Sequence, residues 1–506
     1  MKMLTREEEI EMNRVRKHGF TLLHAAAELG DARLVDVLLR EDGINVNKSS
    51  KEGISPLYMA AIRGHEEVVE MLLEYEGISV NEQNQQGFTP LYAAADMGHA
   101  GVVELLLRRG VPVNHTMPDG ATPLHISAQN GHHRVVQLLL KVEGINKNPE
   151  MNDGATPLQL AAENGHNVVV DMLMRNAVIE VNHQDNYGVT GLYMAAQNGH
   201  KEVVKILLSC ENIEVNTATD DGSPLQIAAE NGHVEVVELL MGKEGIDLNM
   251  RDKDGFTALY ISAQNGHSEV VKLLQKGTGI LVNQEVDDGT PLYIASQNGH
   301  AEVMETHLSD ERVHVNRGKA GFTPLYIAAQ RGFDKVVKLL LTKDGCMINQ
   351  EMSDGASAFF TACERGHAKV VELLLTKRGI KLNLALYVAA QNGHVQVVDL
   401  LLRDDRVDVN ESLNDGTSPL SVASSCGHMK VVQSLLKKEG VEVDKADRWG
   451  GTALLYAAER KHYKIVKLLL RHYVKVTGPT WYQLKKMGVF HRLVSRGRNE
   501  IRQRSC

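Results

Sequence analysis

The chain has 506 residues, of which 43% are hydrophobic and 24% charged, a composition typical of a folded soluble protein. No apolar run approaches the roughly 18 residues of a membrane span, and the charged opening segment lacks the apolar stretch of a signal peptide. Its five cysteines are scattered without the paired spacing of a disulfide or zinc framework. We therefore expect free thiols and a reducing compartment, the cytoplasm or also the nucleus.

The net charge of −9 is distributed unevenly along the chain. Residues 471–506 carry nine lysines and arginines against the single acid Glu500. Because this segment has a charge of +8, the remainder of the chain has a charge of −17. Phosphate backbones attract basic surfaces, so we expect the acidic body not to bind nucleic acid.

A period of 33 or 34 residues runs along the chain and is marked by a recurring glycine, replaced in the last copy by Lys461. The spacing falls to 27 only between Gly366 and Gly393. The period predicts fourteen tandem repeats over residues 18–473, with a helical cap at residues 1–17. The marker glycines are Gly30, Gly64, Gly98, Gly131, Gly165, Gly199, Gly232, Gly266, Gly299, Gly332, Gly366, Gly393 and Gly427.

The third repeat shows which elements one copy contains. Thr89 and Pro90 suit the start of a helix, because threonine caps the first turn and proline needs no amide donor there. Gly98 supplies the left-handed conformation that commonly ends a helix, and a second helix is predicted after it. The apolar stripe of this second helix requires cover on both sides, which only stacked copies provide. The stripe consists of Val102, Val103, Leu106 and Leu107.

Between repeats, a Val-Asn pair followed by polar residues and a glycine predicts a tight hairpin, as from Val80 to Gly87 or from Val215 to Gly222. We call each such loop a finger and number it by the repeat into which it leads. Eight of the twelve prolines follow a Thr or Ser at the start of a first helix. They are Pro56, Pro90, Pro123, Pro157, Pro224, Pro291, Pro324 and Pro419.

The pattern D-G-x-T-P-L-x-x-A-A-x-x-G-H-x-x-V-V-x-L-L-L, seen from Asp119 and Asp153, resembles the ankyrin repeat. The resemblance implies an all-α solenoid of stacked helix pairs with projecting β-hairpin loops and an inner groove used for protein partners. The histidine that follows Pro-Leu in this family is present at His125 and, in the first copy, at His24. Elsewhere we assign mostly tyrosines to this position: Tyr58, Tyr92, Tyr193, Tyr260, Tyr293, Tyr326, Tyr387 and Tyr456.

Twelve of the 22 histidines recur at one position after the helix-ending turn, which favours a scaffold role. Those at positions 65, 233, 267 and 300 begin an H-x-E triplet similar to a deaminase zinc motif, but the paired cysteines of that motif are absent. Asp252 and Asp254 resemble the start of a calcium loop, yet the glycine comes too early and the closing Glu is missing. No phosphate-binding loop or nucleophile elbow occurs. We predict no enzyme activity, metal or cofactor.

The two residues before the marker glycine read Gln-Asn or Glu-Asn in many repeats. Repeat duplication, together with the preference of Asn for helix ends, explains this pattern; alternatively, it forms a polar ladder that grips an extended partner. The ladder residues are Gln129, Glu163, Gln197, Glu230, Gln264, Gln297 and Gln391. Three aromatics after a finger glycine, Phe88, Phe256 and Phe322, either anchor a partner or pack against the next finger.

Two asparagines, Asn216 and Asn410, lie in a Leu, five residues, acid, Val, Asn arrangement. This arrangement is similar to the sites of the asparaginyl hydroxylase that modifies ankyrin repeats. The alternative is that both side chains brace the hairpin.

The twelfth repeat is short near residues 383–386, because seven residues are missing between Asn383 and Leu386. They correspond to the finger tip with its glycine and Thr-Pro cap. We predict that one finger is lost without breaking the stack, that the following helix loses its cap, and that backbone amides exchange faster around residues 380–390. Two binding regions follow from this gap, unless it is a neutral deletion.

Residues 474–506 form a separate segment. Pro479 and a capping box from Thr480 to Gln483 predict a helix with Trp481 on its apolar side, which we expect to cap the last repeat. The basic residues beyond it either solubilise the chain or meet an acidic partner, RNA or an anionic membrane. They are Arg492, Arg496, Arg498, Arg502 and Arg504.

We therefore predict a monomeric scaffold or adaptor that binds partner proteins through groove and fingers. The alternative is a regulatory or substrate-recruiting subunit, such as a ubiquitin-ligase or phosphatase targeting subunit. The family offers a precedent in receptors that end in a SOCS box, but Gly488 stands where that box has Cys.

Overall fold

A computed structural model describes residues 19–472 of the chain. These residues form 28 α-helices and only isolated β-bridges, with no β-strand among them. The prediction of an all-α fold built from helix pairs is confirmed. Each repeat n contributes a first helix, α(2n−1), and a second helix, α(2n). The chain divides into two compact units, residues 19–262 with 276–280 and residues 263–275 with 281–472.

The first unit holds seven complete helix pairs and the start of an eighth first helix. Its helices are α1 (Leu22–Leu29), α2 (Ala32–Leu39), α3 (Pro56–Arg63), α4 (Glu66–Glu74), α5 (Pro90–Asp96), α6 (Ala100–Arg108), α7 (Pro123–Gln129), α8 (His133–Leu140), α9 (Pro157–Glu163), α10 (Asn167–Met174), α11 (Gly191–Gln197), α12 (Lys201–Leu208), α13 (Pro224–Glu230), α14 (Val234–Met241) and α15 (Ala258–Asn265), in which the boundary falls.

The second unit continues the same alternation of first and second helices. Its helices are α16 (Ser268–Gln275), α17 (Pro291–Asn298), α18 (Ala301–Leu308), α19 (Pro324–Arg331), α20 (Asp334–Leu340), α21 (Ala358–Arg365), α22 (Ala368–Leu375), α23 (Ala385–Gln391), α24 (Val395–Leu401), α25 (Pro419–Cys426), α26 (Met429–Lys437), α27 (Ala453–Glu459) and α28 (Tyr463–Arg471). In each unit, neighbouring first helices pack together and neighbouring second helices pack together, so each unit is a solenoid.

The first helices begin where the Thr-Pro and Ser-Pro steps predict. Thr89 accepts a hydrogen bond at Oγ1 from the backbone N–H of Tyr92 at 3.1 Å, and Pro90 is the first residue of α5. All eight prolines named above are the first residue of a helix. Each side-chain cap stabilises its helix by about 1 kcal/mol.

The turn that ends a first helix also contacts the following repeat. Gly98 has a φ of 75°, and a Cβ atom there would lie 2.6 Å from Nδ1 of His132 in the following repeat. His132 in turn hydrogen-bonds through Nε2 to the backbone oxygen of Asp96 at 2.8 Å. Ten other histidines at the recurring position make the same kind of bond, which confirms their scaffold role: His65, His99, His166, His200, His233, His300, His367, His394, His428 and His462.

The core lies between the two layers of helices. In α6, Val102, Val103 and Leu106 are fully buried, while Leu107 is half-buried, so the predicted stripe faces the stack. Burial of one such side chain stabilises the fold by roughly 1.5–3 kcal/mol. Since most second helices repeat this stripe, each repeat depends on its neighbours for cover.

The fingers are tight turns rather than two-stranded ribbons. In finger 3 the N–H of Asn84 donates to the oxygen of Phe88 at 3.0 Å, and the N–H of Gly87 donates to the oxygen of Asn84 at 3.0 Å. Neighbouring fingers are joined by backbone bonds in places, as from the N–H of Gln85 to the oxygen of Glu52 at 2.9 Å. The predicted hairpins therefore exist as hydrogen-bonded turns.

The third residue of each first helix, which we call the N3 position, lies beneath the fingers. His24 hydrogen-bonds through Nε2 to the oxygen of Ile54 in the next finger at 2.9 Å. Gln159 Nε2 donates to the oxygen of Val189 in the same way at 2.7 Å. One tyrosine assignment is wrong: Leu455 occupies N3 of α27, and Tyr456 is the next residue, since Thr452 caps the N–H of Leu455.

The short twelfth repeat lacks its finger, and its helices keep their packing. α21, α23 and α25 contact in sequence, as do α22, α24 and α26. The helix α23 begins after Leu384, which has a φ of 53° and no side-chain cap. The N–H of Leu384 donates instead to the carboxylate of Glu411 at 2.9 Å. The predicted loss of the cap is confirmed.

Candidate functional site

The seven ladder residues occupy one position in their repeats, at the carboxyl ends of the first helices. Gln129, Glu163, Gln197, Glu230 and Gln391 are the last residues of their helices and are exposed. Gln264 and Gln297 are the last but one and are half-buried. Within each unit, the ladder residues therefore all lie at the same end of the first helices.

The backbone beneath the ladder is fixed by the recurring histidines. His166 hydrogen-bonds to the oxygen of Gln129 at 2.8 Å, and His233 bonds to the oxygen of Gln197 at 2.9 Å. In the second unit, His428 makes the same bond to Gln391 at 2.9 Å. Each of these ladder side chains therefore projects from a helix end that the next repeat holds in place.

The asparagine after each ladder residue serves the scaffold. Asn198 Nδ2 donates to the oxygen of Glu163 at 2.9 Å, and Asn298 Nδ2 donates to the oxygen of Gln264 at 3.0 Å. Asn164 instead donates to the oxygen of Leu160 within its own helix, at 2.8 Å. These bonds explain the Asn of the recurring pair as a residue that stabilises the helix end. The Gln or Glu of the pair is instead mostly exposed.

Apolar side chains accompany the ladder on the same helix face. The residue three positions before a ladder residue shares its face of the helix. Ile126 and Met194 occupy this position in α7 and α11, and both are half-buried. At the ends of α1 and α5, Leu29 and Met97 are exposed at the position that holds asparagine in the ladder repeats. The face of the first unit's first helices therefore combines polar helix ends with apolar patches.

The three predicted finger aromatics pack against their own repeats. The ring of Phe256 stacks on Tyr260 with centroids 4.7 Å apart and an interplanar angle of 9°. Phe88 lies 5.3 Å from Tyr92, and Phe322 lies 5.2 Å from Tyr326. All three phenylalanines are half-buried. Each ring covers the N3 tyrosine of its own first helix, and Phe88 also packs against the cluster that contains Met117 and Ala121 of the next finger. A role of these rings as partner anchors stays a prediction.

A family model described as ankyrin repeats, in three copies, matches residues 23–117, 109–185, 170–252, 225–317, 306–385 and 386–479. The chain belongs to the ankyrin-repeat family. The crystal structure of the human ASB11 ankyrin repeat domain is similar, with 28% sequence identity, coverage of 45% of this chain and 100% of that chain, and a TM-score of 0.40. No curated protein matches the chain. Ankyrin repeats are generally protein–protein interaction modules, and their fold is typically a non-catalytic binding scaffold.

Two exposed aromatics on the ankyrin fingers escaped prediction. Tyr187 is 73% exposed and Trp449 is 65% exposed, each immediately before a finger glycine. The guanidinium carbon of Arg448 lies 4.2 Å from the centroid of the Trp449 ring. Most other ankyrin fingers carry a polar residue at this position, such as Glu52 or Asp119, so the change of residue type was the available signal.

The two asparagines proposed for hydroxylation brace the next ankyrin repeat. Asn216 donates to the oxygen of Gly245 at 2.7 Å and accepts from the N–H of Asp247 at 3.0 Å. Asn410 makes the equivalent bonds to Gly440 and Glu442, both at 2.8 Å. The bracing role is therefore confirmed, and hydroxylation stays a prediction.

Residues 19–472 were also compared with the requirements of a metal site and of a membrane span by their side chains and helix lengths. They contain no group of three or more His, Cys, Asp or Glu side chains placed to hold a metal ion. Nor does this part of the chain contain a helix long and apolar enough to cross a membrane. The predicted N-terminal cap, the tail helix with Trp481 and the basic residues from Arg492 to Arg504 lie outside the described residues.

Proposed function

We propose that this ankyrin-repeat protein is a scaffold or adaptor that binds partner proteins through its ladder residues and fingers. The supporting observation is the contrast within the recurring pair. The histidine and asparagine bonds fix the backbone at the helix ends, whereas the glutamine or glutamate side chains of most ladder repeats are exposed. A fixed position reduces the entropy lost when such a side chain binds a partner.

The chemistry of the ladder suits an extended polypeptide. A glutamine amide both donates and accepts hydrogen bonds, so a series of glutamines can pair with the main chain of a partner. The apolar residues on the same face, such as Ile126 and Met194, add contact area for apolar side chains of that partner. The exposed rings of Tyr187 and Trp449 provide further contacts at the fingers.

The experiment compares ladder and control substitutions in the full chain. Gln197→Arg, Gln264→Arg and Gln297→Arg together introduce bulk and charge at the ladder and should weaken the main partner at least tenfold. Gln137→Arg and Gln396→Arg form the control, because these glutamines are exposed on second helices. Partners are identified by affinity purification with mass spectrometry, beside a chain ending at Tyr473, and their affinities are then measured.

Two outcomes separate binding from folding. Circular dichroism should show the same helix content and thermal midpoint for the ladder and control variants. Unchanged affinity of the ladder variant for every captured partner would rule out the ladder as the binding surface. Absence of catalysis, a monomeric state and a cytoplasmic or nuclear location belong to the same proposal.

A further inference from the structure

The N3 residues of the first helices divide into two groups. In twelve of the fourteen first helices, the N3 side chain is 8% exposed or less, whether it is His24, Gln159 or Tyr193. The two exceptions are Phe360 of α21 and Tyr387 of α23, which are both half-buried. Aromatic rings at a position that is otherwise buried require a local cause.

In a regular repeat, represented by the third, the N3 side chain is covered from two sides. Its own finger covers one side, as Phe88 does for Tyr92. The next finger covers the other side: Met117 and Ala121 of finger 4 pack with Tyr92 in one buried cluster. Polar N3 side chains bond to the same part of the next finger, as His24 does to Ile54.

The absence of finger 12 explains both exceptions. Phe360 belongs to repeat 11, so the missing finger is the next one and would cover its far side. Tyr387 belongs to repeat 12, so the missing finger is its own. Because α21 and α23 pack side by side, Phe360 and Tyr387 lie at the same position of neighbouring first helices, and both adjoin the gap left by the missing finger. We call this gap the notch and define it by Phe360, Leu384 and Tyr387.

The finger that borders the notch also lacks its usual neighbour. In finger 13, a Cβ atom built on Gly416 would lie 3.1 Å from the Cα atom of Asp447 in finger 14, and the N–H of Arg448 donates to the oxygen of Asp415 at 2.9 Å. In finger 11, no atom lies within 4 Å of the Cβ position of Gly355. The Cβ position of Gly255 in finger 8 is equally open although finger 9 follows it, so the open space beside Gly355 agrees with the missing finger but the notch does not depend on it.

We propose that the notch is a docking site for a tight, glycine-containing turn of a partner protein that places an aromatic ring between Phe360 and Tyr387. The chain itself indicates this occupant, because glycine followed by phenylalanine covers the N3 tyrosine in fingers 3, 8 and 10. A bound turn would supply the cover that finger 12 lacks. The proposal does not depend on the ladder, because the notch lies at the opposite end of the first helices.

The test uses a cyclised, fluorescent peptide that copies residues 81–90 of finger 3, including Gly87 and Phe88. Fluorescence anisotropy with the full chain should show saturable binding with a dissociation constant of about 10–500 μM, the range expected for a single turn. A peptide with Phe88→Ala should bind at least tenfold more weakly. A chain with a seven-residue finger restored between Leu384 and Ala385 should not bind the peptide.

Point variants locate the bound ring without relying on the insertion. Phe360→Ala should weaken the peptide at least fivefold. Phe322→Ala is the matched control, because Phe322 is also a half-buried phenylalanine but both its own finger and the next finger are present. This variant should leave peptide binding unchanged. A peptide with benzoylphenylalanine in place of Phe88 should cross-link to α21 or α23, and mass spectrometry identifies the site.

Several results would overturn the proposal. They are absence of saturable binding to the wild-type chain, equal binding to the finger-restored chain, and cross-links confined to other helices. Self-association that disappears in the finger-restored chain would assign the notch to a second copy. Tighter peptide binding after deletion of residues 474–506 would assign it to the chain's own tail. If the ladder variant loses its partners, peptide binding and cross-linking at the notch should stay unchanged. The ladder proposal and the notch proposal can therefore fail independently of each other.

Discussion

The third and twelfth repeats show which part of an ankyrin repeat is needed for which task. In the third, Thr89 caps α5 and finger 3 covers Tyr92. In the twelfth, the finger is absent, α23 starts from a left-handed Leu384, and Tyr387 is half-buried. Both repeats nevertheless pack between their neighbours. The apolar stripes of the helices therefore hold the stack, whereas the finger caps the first helix and covers its N3 residue.

A second departure from the regular repeat lies in the ninth repeat. We expect it to affect folding stability more than the missing finger does. His307 replaces the fully buried leucine of the stripe, represented by Leu340 in the next repeat. Its Nδ1 has no hydrogen-bond partner within the described residues. Burial lowers the pKa of His307 to about 4, although the carboxylate of Asp310 opposes this effect.

The largest predicted effect is a pH dependence of folding stability that follows from the burial of His307. The unfolded chain protonates His307 below a pH of about 6.5, whereas the folded chain does so only near pH 4, so protons favour unfolding in this window. Stability should fall by about 3 kcal/mol between pH 7 and pH 4 because of this residue. His307→Leu should remove that dependence, as measured by urea unfolding at several pH values. Parallel pH profiles of the variant and wild type would contradict it.

The turn glycines give the next largest effect. Gly98 and Gly355 both have a positive φ, of 75° and 81°, so alanine is strained at either one. At Gly98 the added Cβ also displaces His132 from its bond to Asp96, whereas it meets open space at Gly355. We expect Gly98→Ala to destabilise by about 2–3 kcal/mol and Gly355→Ala by about 1 kcal/mol. Equal shifts of the urea midpoint would show that the histidine contact contributes nothing.

Much of the fold was predictable, because its signals are local. The Thr-Pro steps, the turn glycines and the stripe of α6 act within one turn of helix, and each lies where the sequence placed it. The wrong assignment of Tyr456 came from residue type, since spacing from the Thr452 cap selects Leu455. Local chemistry therefore fixes a helix start more reliably than similarity of one side chain.

Features that depend on two repeats at once were harder to predict. Asn47 accepts from the N–H of Ser79 at 2.8 Å, but Pro112 takes that place opposite Asn81 and has no N–H. The Oδ1 of Asn81 is accordingly buried without a hydrogen-bond partner in the described part of the chain. The exposure of Phe360 has the same origin, because it depends on the finger of the next repeat. Pattern analysis of single repeats does not register such pairs.

The smallest predicted effect is local and concerns residues 380–390. Tyr92 donates its N–H to the Thr89 side chain, whereas the first turn of α23 has no side-chain cap. Loss of a cap of about 1 kcal/mol raises local opening roughly fivefold, so amides of this segment should exchange faster than those of residues 86–95. Hydrogen exchange with mass spectrometry on the full chain measures both segments. The finger-restored chain is the control and should bring the rates together. If residues 380–390 are already as protected as the third repeat, the bond from Leu384 to Glu411 replaces the missing cap in full.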